Sequence, residues 1–297
     1  MLPAATVKQL ALDVGFHACG IAAATPLTAD ELGLHRWIAE GNHADMRYME
    51  RHVAMRHDPA LLVPGAQTVI SLLLGYKPSC YMCGDNRIAM YAYGDDYHTG
   101  IKQMLFRLIA AIRQVQPGFE AKPCVDTVPV ADKHWAVRAG LGWLGRNTLL
   151  INPTYGSLCF LAELVTVTLV DSYDLPVANR CGDCHRCLDA CPNRALQSGP
   201  NGGSRLDARR CTSYHTVESR ASRLPESLQR RGYAFGCDCC QLVCPYNMQA
   251  PVSVQIGDAQ LSELQSLEHA DEATFRRLTR HRALNRINYA QWQRNIR

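Results

Sequence analysis

The sequence predicts an α/β domain followed by a small cysteine-built domain, and two observations carry that expectation. The first is an N-terminal half in which helical and strand-like apolar patterns alternate. The second is a pair of cysteine runs, Cys181-Gly-Asp-Cys184-His-Arg-Cys187-Leu-Asp-Ala-Cys191-Pro192 and Cys237-Asp-Cys-Cys240-Gln-Leu-Val-Cys244-Pro245. Nine of the 14 cysteines in the 297-residue chain fall between Cys181 and Cys244.

Val7, Leu10, Ala11 and Val14 share one helical face between Val7 and Phe16, with Gly15 near the end. Cys19 to Ala24 then reads as a short buried strand. Glu31 to Ala39 and Ala44 to His52 read as helices. Leu61-Leu-Val-Pro-Gly65 turns into Thr68 to Gly75, an apolar run rich in β-formers that suits a central strand. Tyr76 to Arg87 reads as a loop. Its Cys80-x-x-Cys83 lacks a partner motif and reads as two incidental thiols.

Asp95 and Asp96 precede an amphipathic helix from Ile101 to Val115, where acids complement the helix dipole. Asp96-x-His98 approaches the D-x-H-x-x-G box by which some cobalamin enzymes ligate cobalt, but the glycine stands one residue early. His98 is therefore expected to hydrogen-bond near the helix start. Asp126 precedes Pro129, which is expected to open a helix running to about Ala139 with Asp126 as a cap.

Gly140-Leu-Gly142-Trp-Leu-Gly145 spells a dinucleotide fingerprint, but Val130 to Arg138 reads as helix where that motif needs a strand. The glycines are expected to permit a tight turn or a close backbone approach. Thr148 to Ile151 and Leu158 to Val170 complete the strands. Asp174-Leu-Pro-Val then links to the cysteine-built part.

The first cysteine run has the C-x₂-C-x₂-C-x₃-C-P spacing of bacterial ferredoxins, in which the fourth cysteine ligates the other of two clusters. Read backwards from Cys244-Pro245, the same spacing finds Cys240 and Cys237 but then Ala234, so one ligand is missing. Cys211 is the unassigned cysteine between the runs. The expected sets are Cys181, Cys184, Cys187 and Cys244 for one [4Fe-4S] cluster, and Cys191, Cys211, Cys237 and Cys240 for the other. Cys239 is spare.

A zinc ribbon does not need the third and fourth cysteines at these offsets. Cys181-x-x-Cys184-His185 also spells a c-type haem attachment, which leaves Cys187 and Cys191 unexplained. A disulfide framework calls for a secreted context, and Met1 to Phe16 does not have the pattern of a signal peptide. The longest apolar stretch, Leu158 to Val170, is interrupted by Glu163 and is too short to span a bilayer. A cytoplasmic protein is expected.

The net charge of +4 is unevenly spread. Residues 1–179 carry 14 Lys+Arg and 16 Asp+Glu, whereas residues 180–297 carry 17 and 11, and all 17 cations there are arginine. Thr274 to Arg297 holds seven arginines and no acid. Arginine forks suit phosphate, so either a nucleic-acid contact or a solvated helix face accounts for them.

Leu61-Leu-Val-Pro-Gly65, Tyr91-Ala-Tyr-Gly-Asp-Asp-Tyr-His98, Val125-Asp-Thr-Val-Pro129, Ala139-Gly-Leu-Gly-Trp-Leu-Gly-Arg-Asn-Thr148, Phe160-Leu-Ala-Glu163, Leu206-Asp-Ala-Arg-Arg-Cys211 and Gly236-Cys237 to Pro245 occur together. In these stretches, and over nearly its whole length, the chain resembles the cobalamin-dependent epoxyqueuosine reductases. The resemblance implies a nitroreductase-like α/β (α+β) cobalamin-binding domain over 1–175 and a ferredoxin-like two-cluster domain over 176–255. An Arg-rich helical segment over 256–297 would pack on the core. The resemblance also implies a short form, without the C-terminal helical-repeat domain of longer members.

The activity implied is reduction of the epoxide of epoxyqueuosine at the wobble position of tRNA, with cob(I)alamin as nucleophile. Asp126 would be the proton donor, its pKa raised by burial against the corrin. Arg51, Tyr91, His98 and Arg146 match positions expected near the corrin. An external donor of flavodoxin or ferredoxin type and a monomeric enzyme are also expected. A cobalamin-dependent reductive dehalogenase and a ferredoxin-type electron carrier are the competing readings.

Overall fold

The computed structural model describes residues 1–199 and 204–297. In chain order its strands are β1 (Ala18–Ala23), β2 (Thr68–Gly75), β3 (Arg87–Ile88), β4 (Lys122–Cys124), β5 (Trp143–Leu144), β6 (Leu150–Ile151), β7 (Cys159–Thr166), β8 (Leu196–Ser198), β9 (Ser204–Leu206) and β10 (Tyr233–Phe235). The helices are α1 (Ala4–Val14), α2 (Thr28–Ala39), α3 (Val53–His57), α4 (Pro59–Leu62), α5 (Tyr97–Val115), α6 (Asp132–Arg138), α7 (Arg186–Asp189), α8 (Cys239–Leu242), α9 (Pro245–Gln249), α10 (Asp258–Ser266), α11 (Glu272–Thr279) and α12 (Tyr289–Ile296).

The main sheet has the order β1-β2-β7-β4 and is antiparallel throughout. Its period-2 alternation divides two cores. Ile70, Leu72, Ala162 and Leu164 face α1 and α5, while Val69, Val165 and Cys124 face α6 with its buried Trp135. The central position expected for Thr68 to Gly75 is the one β2 occupies, with seven of its eight residues buried. Each fully buried Leu or Ile of these faces stabilises the fold by roughly 1.5–3 kcal/mol.

One cross-strand row, Gly20, Ser71, Glu163 and Cys124, lies in register across all four strands. Gly20 is required there because an added Cβ would stand 2.0 Å from the Ala139 carbonyl oxygen at the end of α6. The helix therefore rests directly on the sheet. Gly142 is equally constrained, since a Cβ would lie 2.2 Å from the Ile151 oxygen of the β5–β6 hairpin. The close backbone approach expected of this glycine run is made to the chain's own hairpin.

Two local expectations change. Residues Ala44 and His52 have positive φ, and only a 3₁₀ turn at Arg47–Met49 lies between them, so that stretch is not a helix. Asp126 does not cap α6, which starts at Asp132 after Ala131. Proline fixes its own φ but also biases the preceding residue away from helix, and here the chain stays irregular through Val130.

The C-terminal elements α10, α11 and α12 build a further core with the loop around β3 and with β10. Met90, Ile88, Phe235, Phe275, Leu267 and the buried Trp292 meet there. Asn288 and Gln291 form a capping box at α12, worth about 1 kcal/mol in such helices. Asn295 then donates to the carbonyls of Thr216 and Ala234, each at 2.8 Å, and fixes α12 to β10. No helix among the described residues is long and apolar enough to cross a membrane.

Candidate functional site

The two cysteine runs fold into short turns and helices rather than extended strands, so that their thiols converge. Cys187 and Cys244 feel the charges of Cys181 and Cys184, and burial pushes their thiols up. Trp143 packs with Cys181 and Cys244 and directs its Nε1 to the Cys181 sulfur at 3.4 Å.

The other four, Cys191, Cys211, Cys237 and Cys240, line one cavity of about 320 Å³. Burial pushes the Cys240 thiol up, and the neighbouring Cys211, Cys191 and Cys187 add to the shift, which places the two sets side by side. Cys211 precedes a π-helical turn, Tyr214–Glu218. Among the described residues no three His, Cys, Asp or Glu side chains converge on the position of a single metal ion; these thiols ring a cavity. Cys239 lies beside Cys237 at the same wall.

A polar joint ties this cysteine-built region to the sheet. Asn247 of α9 accepts from the Ser157 backbone N–H at 2.6 Å and donates to the Ser157 hydroxyl at 3.0 Å and the Gln241 carbonyl at 2.7 Å. Gly156 beside it leaves no room for a Cβ, which would lie 2.0 Å from Asn247 Oδ1.

Asp126 lies in the connection after β4, at the left-handed φ of 47°. That conformation is unfavourable for a residue with a Cβ and turns the carboxylate toward the start of α5. Asp126 Oδ2 accepts from Tyr97 Oη and meets His98 Nε2, both at 2.9 Å. His98 Nδ1 lies 2.6 Å from Asp96 Oδ1, and Asp96 also caps α5 by accepting from the His98 backbone N–H. One imidazole thus bridges two carboxylates, as its expected place near the helix start allows.

The electrostatics correct one expectation. The hydrogen bond from His98 holds the Asp126 carboxyl below its ordinary value, outweighing the opposing effect of burial. The same bond holds the His98 imidazole above its ordinary value. The proton therefore resides on the imidazole, and Asp126 is not the acid with a raised pKa expected from the sequence. Its side chain remains 61 % exposed.

Tyr97 stacks on His98, with ring centroids 4.1 Å apart, and on Phe160 of β7 at 4.2 Å. Tyr91 meets Tyr97 edge-on at 6.4 Å and lines the thiol cavity, linking the acid cluster to the cysteines. Arg146 donates to the Gly182 carbonyl at 3.0 Å, against the first cysteine run. Arg51 is exposed in the turn before α3. Tyr91, His98 and Asp126 are therefore brought together by Tyr97, whereas Arg146 sits on the cysteine side and Arg51 on the surface.

Sequence reasoning missed Tyr97, Tyr48, Lys133, Asp238 and Arg286. Burial pushes the Asp238 carboxyl up to about 7, and its Oδ2 accepts from the Met90 N–H at 2.9 Å. Lys133 donates to the Thr148 carbonyl at 2.9 Å and lines the cavity beside Asn147, whose buried Nδ2 has no hydrogen-bond partner. Position in the fold, rather than spacing, assembles these groups. The Asp-Tyr-His order of residues 96–98 was the available signal for Tyr97.

A family model described as epoxyqueuosine reductase QueG, DUF1730, matches residues 56–127, and one described as a 4Fe-4S double cluster binding domain matches residues 180–247. A protein of Cyclobacterium marinum named epoxyqueuosine reductase is 37% identical over 98% of this chain and 94% of its own length. One of the same name from Gloeobacter violaceus is 38% identical over 99% and 94%. The solved structure of epoxyqueuosine reductase from Streptococcus thermophilus superposes with a TM-score of 0.88 at 29% identity, covering all of this chain and 80% of that one. An epoxyqueuosine reductase solved with a tRNA-Tyr epoxyqueuosine-modified stem loop gives 0.81 at 26% identity, over 98% and 78%.

Proposed function

The chain belongs to the epoxyqueuosine reductase family, and on that premise we propose that it reduces the epoxide of epoxyqueuosine in the anticodon of tRNA to queuosine. The observation that carries this reading is the Asp96–His98–Asp126 chain, held beside Tyr91 on the wall of the thiol cavity. Curated relatives of the same name over nearly the full length favour it above a dehalogenase or a simple electron carrier.

The residues present fit the expected cofactors. Eight thiols in two adjacent sets suit two [4Fe-4S] clusters. The unpartnered Asn147 amide and the Lys133 ammonium on the cavity wall suit a ligand rich in amide and phosphate acceptors, as cobalamin is. Arg51, Tyr91, His98 and Arg146 are its proposed contacts. When bound, the clusters deliver single electrons, and reduced cobalamin is the nucleophile for the epoxide carbon.

The protein's own task is proton supply. Converting the epoxide to an alkene consumes two electrons and two protons and releases water. His98 stores a proton between Asp96 and Asp126, and Asp126, the more exposed carboxylate, passes it to the oxygen that leaves the ring. Tyr97 Oη orients Asp126 by donating to the oxygen that His98 also binds.

Residues 1–175 would then hold cobalamin and the reacting base, 176–255 the clusters, and 256–297 the helical segment packed on both. A flavodoxin- or ferredoxin-type donor, a monomeric enzyme and a cytoplasmic setting complete the reading. The test is anaerobic incubation with reductant and epoxyqueuosine-bearing tRNA, with and without cobalamin, followed by nucleoside mass spectrometry. Loss of one oxygen that depends on cobalamin is expected; no conversion by protein with intact clusters and bound cobalamin would reopen the substrate.

A further inference from the structure

Outside the acid cluster, four arginines gather around a surface cleft of about 470 Å³ between α11 and α12. Arg220, Arg276, Arg280 and Arg286 line it, with Ile287 and Tyr289 on its wall. Two acids temper these cations: Glu272 pairs with Arg276 at 2.6 Å, and Glu218 holds Arg286 through contacts of 2.7 and 3.2 Å. Arg220 spends its guanidinium on the Arg286 carbonyl and Gln291, and Arg280 makes no ion pair among the described residues. The lining therefore keeps a positive excess over an apolar wall.

The cleft is joined to the reaction site by one residue. The Arg286 guanidinium lies 6.0 Å over the Tyr48 ring, and its charge is felt at the Asp126 carboxylate. A ligand seated against Arg286 thus lies on the Tyr48 side of the cleft, toward the reacting group. Alternation of forked cations with an apolar, partly aromatic wall is the chemistry that takes an unstacked nucleotide, phosphate on arginine and base on the ring or aliphatic face.

We infer that this cleft seats a nucleotide next to the modified one in the RNA strand, its phosphate held by Arg276, Arg280 and Arg286 and its base against the half-buried ring of Tyr289. The inference rests on the tRNA reading and says where the strand turns as the modified base enters the site. An exposed solvated face would not enclose a cavity with buried Phe275 and Ile287 behind it.

The test uses cluster-loaded protein and an anticodon stem-loop, with binding followed by fluorescence anisotropy across a salt series. Arg276→Gln with Arg280→Gln should weaken binding by about tenfold and make the log–log salt slope shallower by roughly 1–2, since each lost cation releases fewer counterions. Tyr289→Ala should reduce the preference for the intact strand over one with an abasic neighbour. Arg107→Gln on α5, which packs against α1, should leave affinity unchanged. Unchanged affinity and slope in the double variant, with its cluster absorbance intact, would overturn the inference. So would unchanged RNA affinity together with loss of electron uptake from an acidic donor protein, which would give the cleft to that partner. Conversion of tRNA by the wild type is scored separately: binding through the cleft without conversion removes the substrate reading and leaves the nucleotide site standing.

Discussion

His98 and Asp126 meet at 2.9 Å across the groove between α5 and the loop after β4, and each shifts the other's proton affinity in the direction of an ion pair. The imidazole is held above its ordinary value and the carboxyl below, so the pair is His98⁺–Asp126⁻ over the intervening pH range. Because the His98 pKa is raised in the folded protein, its contribution to stability is complete below the ordinary value of 6.5 and is lost as pH rises through the folded value. The carboxyl, lowered from 3.8, contributes above that value and loses its share as pH falls through the folded one. Asp126→Asn is expected to bring the His98 pKa down, followed by histidine NMR titration. A His98 pKa unaffected by the change would remove the coupling.

The same pair sets the pH dependence of turnover. With the stored proton on the imidazole, the rate is expected to fall as pH rises through the raised His98 value. Asp126→Asn should bind cobalamin normally and lose roughly 10²–10⁴-fold in rate, the usual scale of acid–base assistance. Wild-type turnover by Asp126→Asn with cobalamin bound, read by absorbance and nucleoside mass spectrometry, would exclude Asp126 as the donor.

Cys211 stands far from either cysteine run in sequence yet shares a cavity with Cys191, Cys237 and Cys240. Cys211→Ala should halve the iron content, a loss of about four irons, whereas Cys239→Ala should retain about eight. Anaerobic reconstitution with iron and sulfide analysis distinguishes the two. Equal loss in both variants would require a different ligand set.

Glu163 is fully buried, and neither carboxyl oxygen has a hydrogen-bond partner. Burial, reinforced by Asp132, holds its pKa well above the ordinary 4.5 and favours the protonated acid. Glu163→Gln, which keeps the shape of the protonated acid, is therefore expected to change stability by less than about 1 kcal/mol where that acid is protonated. A raised acid loses stability as pH rises from its unfolded value through the folded one. The variant should accordingly flatten the denaturant midpoint curve as pH rises from about 4.5; a parallel curve would mean that Glu163 does not titrate with a raised pKa.

How far the sequence carries such features depends on their range. The cysteine spacing is local and pointed to seven of the eight thiols, with Cys211 added as the unassigned one, and the apolar run Thr68 to Gly75 announced a strand buried on two faces. Leu158 to Val170 was recognised as a strand, although its ladder ends at Thr166. Ala44 to His52 carries helical spacing, but the chain turns at the positive φ of Ala44 and His52, and Asp45 between them accepts from Tyr214 of the cysteine-built region. Tertiary partners overrode local preference there. The approach of Arg286 to Tyr48 and Asp126 joins residues far apart in the chain and has no periodic signature.

The Asn247–Ser157 joint matters for more than cohesion. Electron tunnelling decays exponentially with distance, so a hinge that breathed between donor and acceptor would smear the hop over a wide spread of rates. Asn247 lies three residues after Cys244, and its amide engages both Ser157 and the Gln241 carbonyl, with Gly156 excluding any side chain between them. The span from the thiols to the sheet is thereby clamped, and successive electrons meet the same barrier width.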